Sequence, residues 1–325
     1  KNGFNKFFFN NKLNYIKFSN SKIIITICDN DENFYKFKFF FKSLIFISIQ
    51  NGYRTGENRD VFYRIQEKKI PKEKLWVDKI FCFGPDVKNV YKKFIEADVQ
   101  VAGSIRNNFI KKVNILNYKK EITYLSIFKK NSHRYSTITN KNNEKFIQYR
   151  QYHKVDKIIL KFLESYCKNN NFHLNILARS FNNNEDLKIE KLKNKKILKN
   201  YDYTFIEKKE ELYGYNFINK HKSYIVNQDS TLGYELLSRL HRVAFFSIRG
   251  NVLNTHGFNF GWPSRFEDVG KFWTNIHDVR IFKKIMDYVI NCSNKEWNLE
   301  ANTVSSQIIK YDYNNSIIRT ALNKY

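Results

Sequence analysis

Several residue types are scarce in this sequence. Its 325 residues include 3 Pro, 11 Gly, 1 Met and 4 Cys. The cysteines stand far apart, without the CxxC or CxxH spacing of zinc sites. This pattern suggests neither a zinc site nor a disulfide framework and fits a reducing cytoplasm. With 42% hydrophobic and 17% aromatic residues, the chain is also outside the disordered and low-complexity classes. Its length suits two domains.

Long apolar runs are also missing. The longest, residues 37–49, is interrupted by Lys38 and Lys42 and is shorter than the ~20 residues that a transmembrane helix needs. We predict a buried strand there. The chain begins at Lys1, without an initiator methionine, and we expect the first element of its N-terminal domain to be truncated.

The charge is strongly one-sided. Lys and Arg number 57 against 31 Asp and Glu, which gives a net charge of +26. This balance suits a nucleic-acid-binding protein or attraction to an anionic membrane surface. However, most of the cations are Lys spread along the whole chain, and their densest run, residues 188–199, is typical of a solvated helix or loop. We therefore expect no nucleic-acid partner, and a non-catalytic basic nucleic-acid-binding protein is the alternative from another class.

Alternating strand and helix patterns predict an α/β protein. Short apolar or β-branched runs end at turn residues and predict strands at 21–28, 44–50, 79–83, 99–102, 122–128, 172–177, 203–206, 223–226 and 242–247. Helical spacing between them predicts helices at 87–97, 155–168 and 231–239. This is the βαβ pattern of parallel sheets. We predict two Rossmann-like domains, 1–118 and 119–325, with a cleft between them.

The end of one predicted strand has the residues of a phosphate site. Asp229, Ser230 and Thr231 are three successive N-cap residue types, placed between strand 223–226 and the following helix. The free N–H groups and positive dipole of such a helix start suit a phosphate. Glu235 lies one turn further on the same helix face, where it could meet ribose hydroxyls. An ordinary capped helix is the other interpretation.

Two arginines also follow predicted strands. Arg179, with Ser180 beside it, follows residues 174–178, and Arg249 follows residues 243–247. Ligands of open α/β sheets bind beyond the carboxyl ends of the strands, and the planar guanidinium grips phosphate oxygens in two places. Both are candidates for phosphate binding, and surface arginines at loop starts are the alternative.

Seven segments carry a resemblance to a known family. They are SIQNGYR at 48–54, DKIFCFG at 78–84, GSIRNN at 103–108, DSTLGYELL at 229–237, RVAFFSIR at 242–249, FGWP at 260–263 and GKFWTN at 270–275. In this order they resemble bacterial surface carbohydrate biosynthesis proteins, which are related to capsule and Kdo-type glycosyltransferases of the GT-B fold. The resemblance implies an acceptor-side domain at 1–118 and a nucleotide-sugar-binding domain with C-terminal helices at 119–325.

The resemblance also implies roles for individual residues. It implies that Ser230, Thr231 and Glu235 hold the nucleotide of an activated sugar. With the strand-end and turn residues, the predicted donor-binding residues are Arg179, Ser180, Asp229, Ser230, Thr231, Glu235 and Arg249. The predicted acceptor-side residues are Asn51, Gly52, Arg54, Gly103 and Ser104. Some related transferases use a His before the Gly where this chain has Asn51, and an amide cannot take a proton.

The general base must then be another residue. Asp29 is our first candidate, and Asp31, Glu32 and Glu57 are alternatives; a turn-forming aspartate is the other interpretation of Asp29. The aromatic and glycine-rich residues 255–274 could form a lid over a ligand.

The expected function is transfer of a sugar from a nucleotide donor to a hydroxyl of a glycan or lipid-linked glycan. A CMP-linked donor is favoured by the resemblance, and neither a metal nor another cofactor is expected. The expected place is the cytoplasm, peripherally on the inner face of the membrane. A glycerol- or ribitol-phosphate transferase that uses a CDP-alcohol is the alternative within the enzymes.

Overall fold

The structure is a computed structural model that describes residues 2–56, 60–128, 137–139, 141–142, 145–179, 184–210 and 212–325. The first part of the chain forms α1 (Asn2–Phe18), β1 (Ile23–Thr26), α2 (Phe34–Phe37), β2 (Ile45–Ile49), α3 (Val61–Glu67), β3 (Trp76–Cys82), α4 (Pro85–Phe94), β4 (Glu96–Val101) and α5 (Ile105–Asn108). The four strands form one parallel sheet in the order β1-β2-β3-β4.

The second part of the chain begins with β5 (Glu121–Leu125). It continues through β6 (Thr137–Thr139), β7 (Lys145–Ile147), α6 (Gln148–Asn170), β8 (His173–Leu177), α7 (Asn184–Leu198), β9 (Tyr203–Ile206), α8 (Tyr213–His221), β10 (Tyr224–Asn227), α9 (Thr231–Ser238), β11 (Val243–Phe246), α10 (Arg249–Val252), β12 (Trp273–Thr274), α11 (Val279–Asn291), α12 (Asn294–Ile308) and α13 (Ser316–Leu322). Strands β6 and β7 pair antiparallel as a separate hairpin.

The second sheet has the strand order of a doubly wound fold. Its six strands are parallel in the order β12-β11-β10-β5-β8-β9. Strands β8 and β9 follow one another on one side of β5. The chain then crosses back, and β10 pairs with the opposite side of β5. This reversal between β5 and β10 opens a crevice beyond their carboxyl ends, where such folds bind ligands.

The predicted fold class is confirmed. All nine predicted strands are present, and the central ones are buried on both faces, as their almost continuous apolar sequences require. The lysine-rich run at 188–199 lies in helix α7, most of whose lysines face solvent. Within the described residues, no helix is long and apolar enough to cross a membrane.

The last helix corrects the predicted assignment of the C-terminal residues. Residues 119–325 were expected to belong to the second domain, but Ile318 and Ala321 of α13 pack with Ile49 and Phe81 of the first sheet. The chain reaches this sheet along α12, after which the Lys310 N–H donates to the Phe83 carbonyl at 2.8 Å. The C-terminal segment therefore completes the core of the first domain, because the outer face of its sheet is apolar and needs a cover.

Gly103 gives a test of this crossing. It has φ +75°, and an added Cβ would lie 2.0 Å from the Lys310 carbonyl oxygen, whereas a Cβ at Gly52 would have only an ordinary contact at 3.5 Å. We expect Gly103→Ala to lower the free energy of unfolding by about 2 kcal/mol, through backbone strain and overpacking. Urea denaturation would measure this change. Gly52→Ala is the matched control, and an equal effect of the two substitutions would contradict the close packing at Gly103.

Candidate functional site

A cleft of about 330 Å³ lies at the reversal point of the second sheet. It is lined by Tyr53, Thr55, Ser126, Ile127, Arg179, Lys208, Asp229, Ser230, Thr231, Arg249 and Phe258. Ser126 follows β5 and Asp229 follows β10, so the cleft lies beyond the carboxyl ends of these neighbouring strands. Tyr53 and Thr55 come from the first domain, and the two domains therefore share the cleft.

The start of helix α9 forms one wall of the cleft. Ser230 is its N-cap residue, with extended backbone at φ −71° and ψ 135°, but its side chain does not cap the helix. The amide of Asn227 holds the turn instead, because its Oδ1 accepts from the Ser230 N–H at 3.1 Å and its Nδ2 donates to the Ser230 carbonyl at 3.2 Å. The Ser230 hydroxyl is therefore left available to a ligand at a helix start.

Close packing at Gly233 keeps this turn in place. A Cβ at Gly233 would lie 2.2 Å from the side chain of Asn227, so only glycine leaves room for that amide. The turn between β10 and α9 thus depends on two residues that do not themselves line the cleft.

Arg249 and Asp229 form a buried pair at the cleft wall. Arg249 Nη1 lies 2.7 Å from Asp229 Oδ2, and its Nη2 donates to Gln228 Oε1 at 2.8 Å. The guanidinium also lies 5.1 Å from the centre of the Phe258 ring, a favourable cation–π distance. Asp229 therefore neutralises and orients Arg249, and both predicted donor-binding residues are at the cleft.

Arg179 and Lys208 supply the other positive charges. Arg179 Nη1 donates to the carbonyls of Ile127 at 3.3 Å and Phe128 at 3.1 Å, which holds the side chain over the end of β5. Lys208 Nζ donates to the Arg179 carbonyl at 3.3 Å. Burial lowers the pKa of Lys208, while Glu190 acts in the opposite direction. Three cations and one carboxylate line the cleft, so its potential favours an anion.

Sequence reasoning missed Lys208, although a signal was present. Lys208 follows β9, as Arg179 follows β8, and the carboxyl ends of parallel strands meet at one edge of the sheet. Tyr53, Thr55, Ser126 and Ile127 were also missed as lining residues, and Tyr53 and Thr55 reach the cleft only through the packing of the two domains. Phe258 belongs to the segment 255–274 that the sequence predicted as a lid.

The first domain is held against α9 by direct contacts. The Tyr53 ring stacks on Tyr234 with 3.7 Å between centroids and 19° between planes. The Tyr53 N–H donates to Thr231 Oγ1 at 3.0 Å. Thr231 therefore uses an acceptor position of its hydroxyl for the domain contact and keeps its proton for a ligand.

The aromatic loop 255–274 is a second contact between the domains and not a free lid. Phe260 and Phe272 are buried and pack with Phe245 of β11. The Phe258 N–H donates to the Thr55 carbonyl at 2.7 Å, and this bond crosses from the second domain to the first. The loop therefore fixes one end of the cleft, and of its aromatic residues Phe258 lines it.

Glu235 lies in a buried contact behind the cleft wall. It is 2% exposed, and its two carboxylate oxygens accept from the Ser104 hydroxyl of the first domain and the Tyr215 hydroxyl of α8. Burial raises its pKa, and these two hydrogen bonds act in the opposite direction. Ser104 and Glu235 thus meet, as an interdomain contact. A ribose contact of Glu235 stays a prediction, since the side chain does not line the cleft.

Asp29 has a different environment from that of a general base. It is 2% exposed; its Oδ2 accepts from Arg54 and Tyr91, and its Oδ1 accepts from the Asn51 N–H at 3.2 Å. A base needs a lone pair directed at the substrate, and this carboxylate is occupied within the first domain. The structure therefore argues against our first candidate and gives Asp29 the role of holding the loop after β2.

The remaining predicted residues have varied positions. Asn51 is exposed beside the cleft, Gly52 approaches Thr231, and Gly103 contacts the C-terminal segment. Of the alternative bases, Asp31 pairs with Lys12 and Glu32 with Lys68, whereas Glu57 and Ser180 lie outside the described residues. In the described part of the chain, no group of three or more His, Cys, Asp or Glu side chains could hold a metal ion.

The sequence matches the model of a known family. Residues 47–325 match the model of a family described as "putative O-antigen biosynthesis protein". No curated protein matches the sequence.

Comparison with solved structures shows the fold. S. aureus MnaA with UDP has a TM-score of 0.54 at 10% identity, over 98% of this chain and 78% of that one. The UDP-GlcNAc 2-epimerase of Neisseria meningitidis bound to UDP-GlcNAc has 0.52 at 14%, over 98% and 80%. A mutant of S. aureus TarM in complex with Fondaparinux, alpha-GlcNAc-glycerol and UDP has 0.50 at 14%, over 96% of this chain.

This chain spans 57% of the length of TarM. At these identities the likeness extends to the fold alone. The two parallel sheets form a glycosyltransferase-like fold of the GT-B type, which is shared with epimerases.

The buried carboxyl of Glu235 gives a pH-dependent prediction. The pKa of this carboxyl is raised above its ordinary value of 4.5 in the folded protein, so the folded state holds this proton more tightly than the unfolded state does. The stability that Glu235 contributes is therefore present at low pH and is lost as the pH rises through the raised pKa. We therefore expect the difference in the free energy of unfolding, Glu235→Gln minus the unsubstituted protein, to be more favourable to the variant at pH 8 than at pH 5. Urea denaturation at both pH values measures the difference. Glu207→Gln, at an exposed position, is the control, and an identical pH dependence of all three proteins would refute the effect.

Proposed function

The chain belongs to the O-antigen biosynthesis family whose model it matches over residues 47–325, and we propose that it is a glycosyltransferase with a nucleotide-sugar donor. The observation that carries this proposal is the cleft at the reversal point of the second sheet, which combines a helix start with three cations. A donor needs its phosphates held and its leaving charge stabilised, and this wall can do both.

The phosphates would lie at the start of α9. The Ser230 hydroxyl and the N–H groups of the first turn would donate to phosphate oxygens. Lys208 and Arg179 would approach from the ends of β8 and β9, on the other side of the reversal point. As the bond to the sugar breaks, negative charge grows on the leaving phosphate, and these fixed donors would stabilise it without a metal ion.

The acceptor would enter from the first domain. Tyr53 and Thr55 form that side of the cleft, and the exposed Asn51 lies next to them. The acceptor in our proposal is a hydroxyl of a growing surface glycan. Asp229 lines the cleft, but Arg249 holds its charge, so we assign it a positioning role and not that of the base. A CMP-linked donor is the finer part of the proposal and is supported by the resemblance of the sequence motifs.

Nucleotide affinity tests the donor site. We expect CMP, CDP, UDP or GDP to bind to the full chain, and Ser230→Ala combined with Lys208→Ala to weaken the Kd at least tenfold, because each charged hydrogen bond contributes about 1.5–3 kcal/mol. Isothermal titration calorimetry with the four nucleotides measures this. Lys209→Ala, which removes the neighbouring exposed lysine, is the matched control. Unchanged affinity of the double variant for every nucleotide that binds would eliminate the site.

Product analysis with the matching nucleotide sugar separates three reactions of this fold class. A glycosyl-transfer enzyme forms a glycoside on the acceptor. A phosphoalcohol transferase forms a phosphodiester from a CDP-alcohol, and an epimerase changes the sugar without any acceptor. Only the first product agrees with the proposed function.

We also propose that the protein binds peripherally to an anionic membrane surface, where a lipid-linked acceptor would be located at the inner face. Helix α1 supports this proposal, because it has apolar residues on two faces. Leu13 and Ile16 pack inward, while Phe7, Tyr15 and Phe18 are 60%, 77% and 75% exposed. At 100° per residue these three lie within one arc of about 80°. Aromatic side chains on a lysine-rich helix suit an interfacial position.

Vesicle binding tests this membrane surface. We expect the protein to co-sediment with phosphatidylcholine vesicles only when anionic phosphatidylglycerol is included. Replacing Phe7, Tyr15 and Phe18 together by Ser should reduce binding at least tenfold, since each loses buried apolar area. Leu299→Ser, at a 71% exposed position of α12, is the matched control. Binding that is independent of lipid charge, or unaffected by the triple substitution, would disprove the surface.

A further inference from the structure

A second cavity lies at the opposite edge of the second sheet. Its volume is about 390 Å³, and it is lined by Lys112, Val113, Asn114, Ile115, Tyr118, Arg239, Leu240, Arg242, Asn294, Trp297 and Asn298. Tyr118 precedes β5 and Arg242 precedes β11, so this cavity faces the amino ends of the strands. The proposed donor cleft lies beyond the carboxyl ends of these strands, and the two cavities have no lining residue in common.

The lining is positive and contains no carboxylate. Lys112, Arg239 and Arg242 are its charged residues, and three asparagines add amide donors. The two arginines are 1% and 5% exposed. Buried guanidinium groups in proteins usually have a carboxylate partner, because an uncompensated buried charge has a high free-energy cost.

Both arginines have only neutral hydrogen-bond partners. Arg242 donates through Nη1 to the carbonyls of Val289 and Ile290, and through Nη2 to the Cys292 carbonyl and Asn294 Oδ1, at 2.6–3.0 Å. Its Nε has no partner within the described residues. These bonds hold the arginine at the carboxyl end of α11, whose dipole offsets part of its charge, and none of them comes from a carboxylate.

Arg239 is in a similar situation. Its Nε donates to Asn107 Oδ1 at 2.9 Å and its Nη1 to Asn219 Oδ1 at 3.1 Å. Its Nη2 has no partner in the described part of the chain. The carboxylate that acts on Arg239 from a distance is Glu235, whose two oxygens are occupied by Ser104 and Tyr215. Glu235 therefore offsets the arginine only in part.

His241, between the two arginines in sequence, responds to the same environment. It is 1% exposed, and neither ring nitrogen has a partner among the described residues. Burial, together with the charges of Arg239 and Lys112, lowers the pKa of His241 to about 3. The imidazole is therefore neutral at physiological pH, as expected beside an excess of positive charge.

We propose that this second cavity binds a phosphate-bearing small molecule. The phosphate would be the anionic partner of Lys112, Arg239 and Arg242, which have no carboxylate in the cavity lining. The side-chain amides of Asn294 and Asn298 would donate hydrogen bonds to its remaining oxygens. The cavity is larger than a phosphate ion, and Tyr118 and Leu240 offer an apolar wall for an organic part. This site is independent of the proposed donor cleft.

Binding there would also connect two parts of the chain. Lys112 to Ile115 lie in the segment that joins the two sheets, and Asn298 lies on α12, which leads the chain back to the first domain. A ligand held by both segments would restrain the two connections between the domains at once.

Calorimetric titration with inorganic phosphate and with glycerol 3-phosphate tests the proposal. In a Ser230→Ala, Lys208→Ala background, where the nucleotide cleft is disabled, we expect both probes still to bind. Adding Asn298→Asp places a carboxylate, of almost the same shape as the amide, in the second cavity. This substitution should weaken the affinity for both probes at least tenfold. Asn302→Asp, one turn further along α12 and outside this cavity, is the matched control and should retain binding.

Two outcomes would overturn the second site. One is that the Ser230→Ala, Lys208→Ala protein, without any further substitution, no longer binds phosphate. The other is that phosphate still binds after Asn298→Asp is added. Thermal unfolding without ligand shows that the variants are folded, and Asn298→Asp should be at least as stable as Asn302→Asp because its carboxylate partly compensates the arginines. Nucleotide affinity, measured on the same proteins, reports separately on the donor cleft.

Discussion

The reversal of strand order between β5 and β10 is the constraint on which the rest of the molecule depends. All strands of the second sheet are parallel, so their following loops meet at one edge. Because the chain leaves β5 toward β8 and returns at β10, no crossover helix covers the space between these two ends. The cations after β8 and β9 and the helix start after β10 therefore meet around one crevice.

The packing of the first domain converts this crevice into a cleft with two walls. The stacked rings of Tyr53 and Tyr234, and the hydrogen bond from Tyr53 to Thr231, set the distance between the domains at the cleft. Asp29 lies behind the cleft wall, inside the first domain. Its carboxylate binds Arg54 and the Asn51 N–H and so fixes the loop that carries Tyr53. Ser104 and Glu235 provide a further contact away from the cleft. Asp29, the predicted base, thus has a structural role within the first domain, and Ser104 and Glu235 meet in the domain contact.

Positive charge is arranged differently at the two edges of the second sheet. At the carboxyl edge, Asp229 compensates Arg249, and Lys208 and Arg179 remain directed at the cleft. At the amino edge, Arg239 and Arg242 are buried among amides and carbonyls. Most of the remaining cations are surface lysines, so the net charge of +26 does not describe either site. The local balance of cations and carboxylates does.

The sequence by itself determined the strands, the α/β class and the turn at 229–231 from which helix α9 begins. These features are local, since apolar runs, turn residues and N-cap residues act within a few positions of the chain. Only the tertiary structure decided that α13 belongs to the first sheet, that Lys208 and Tyr53 line the cleft and that Asp29 and Glu235 are buried. Each of these depends on contacts between residues more than twenty positions apart, several of them across the domain boundary, and no local pattern specifies such contacts.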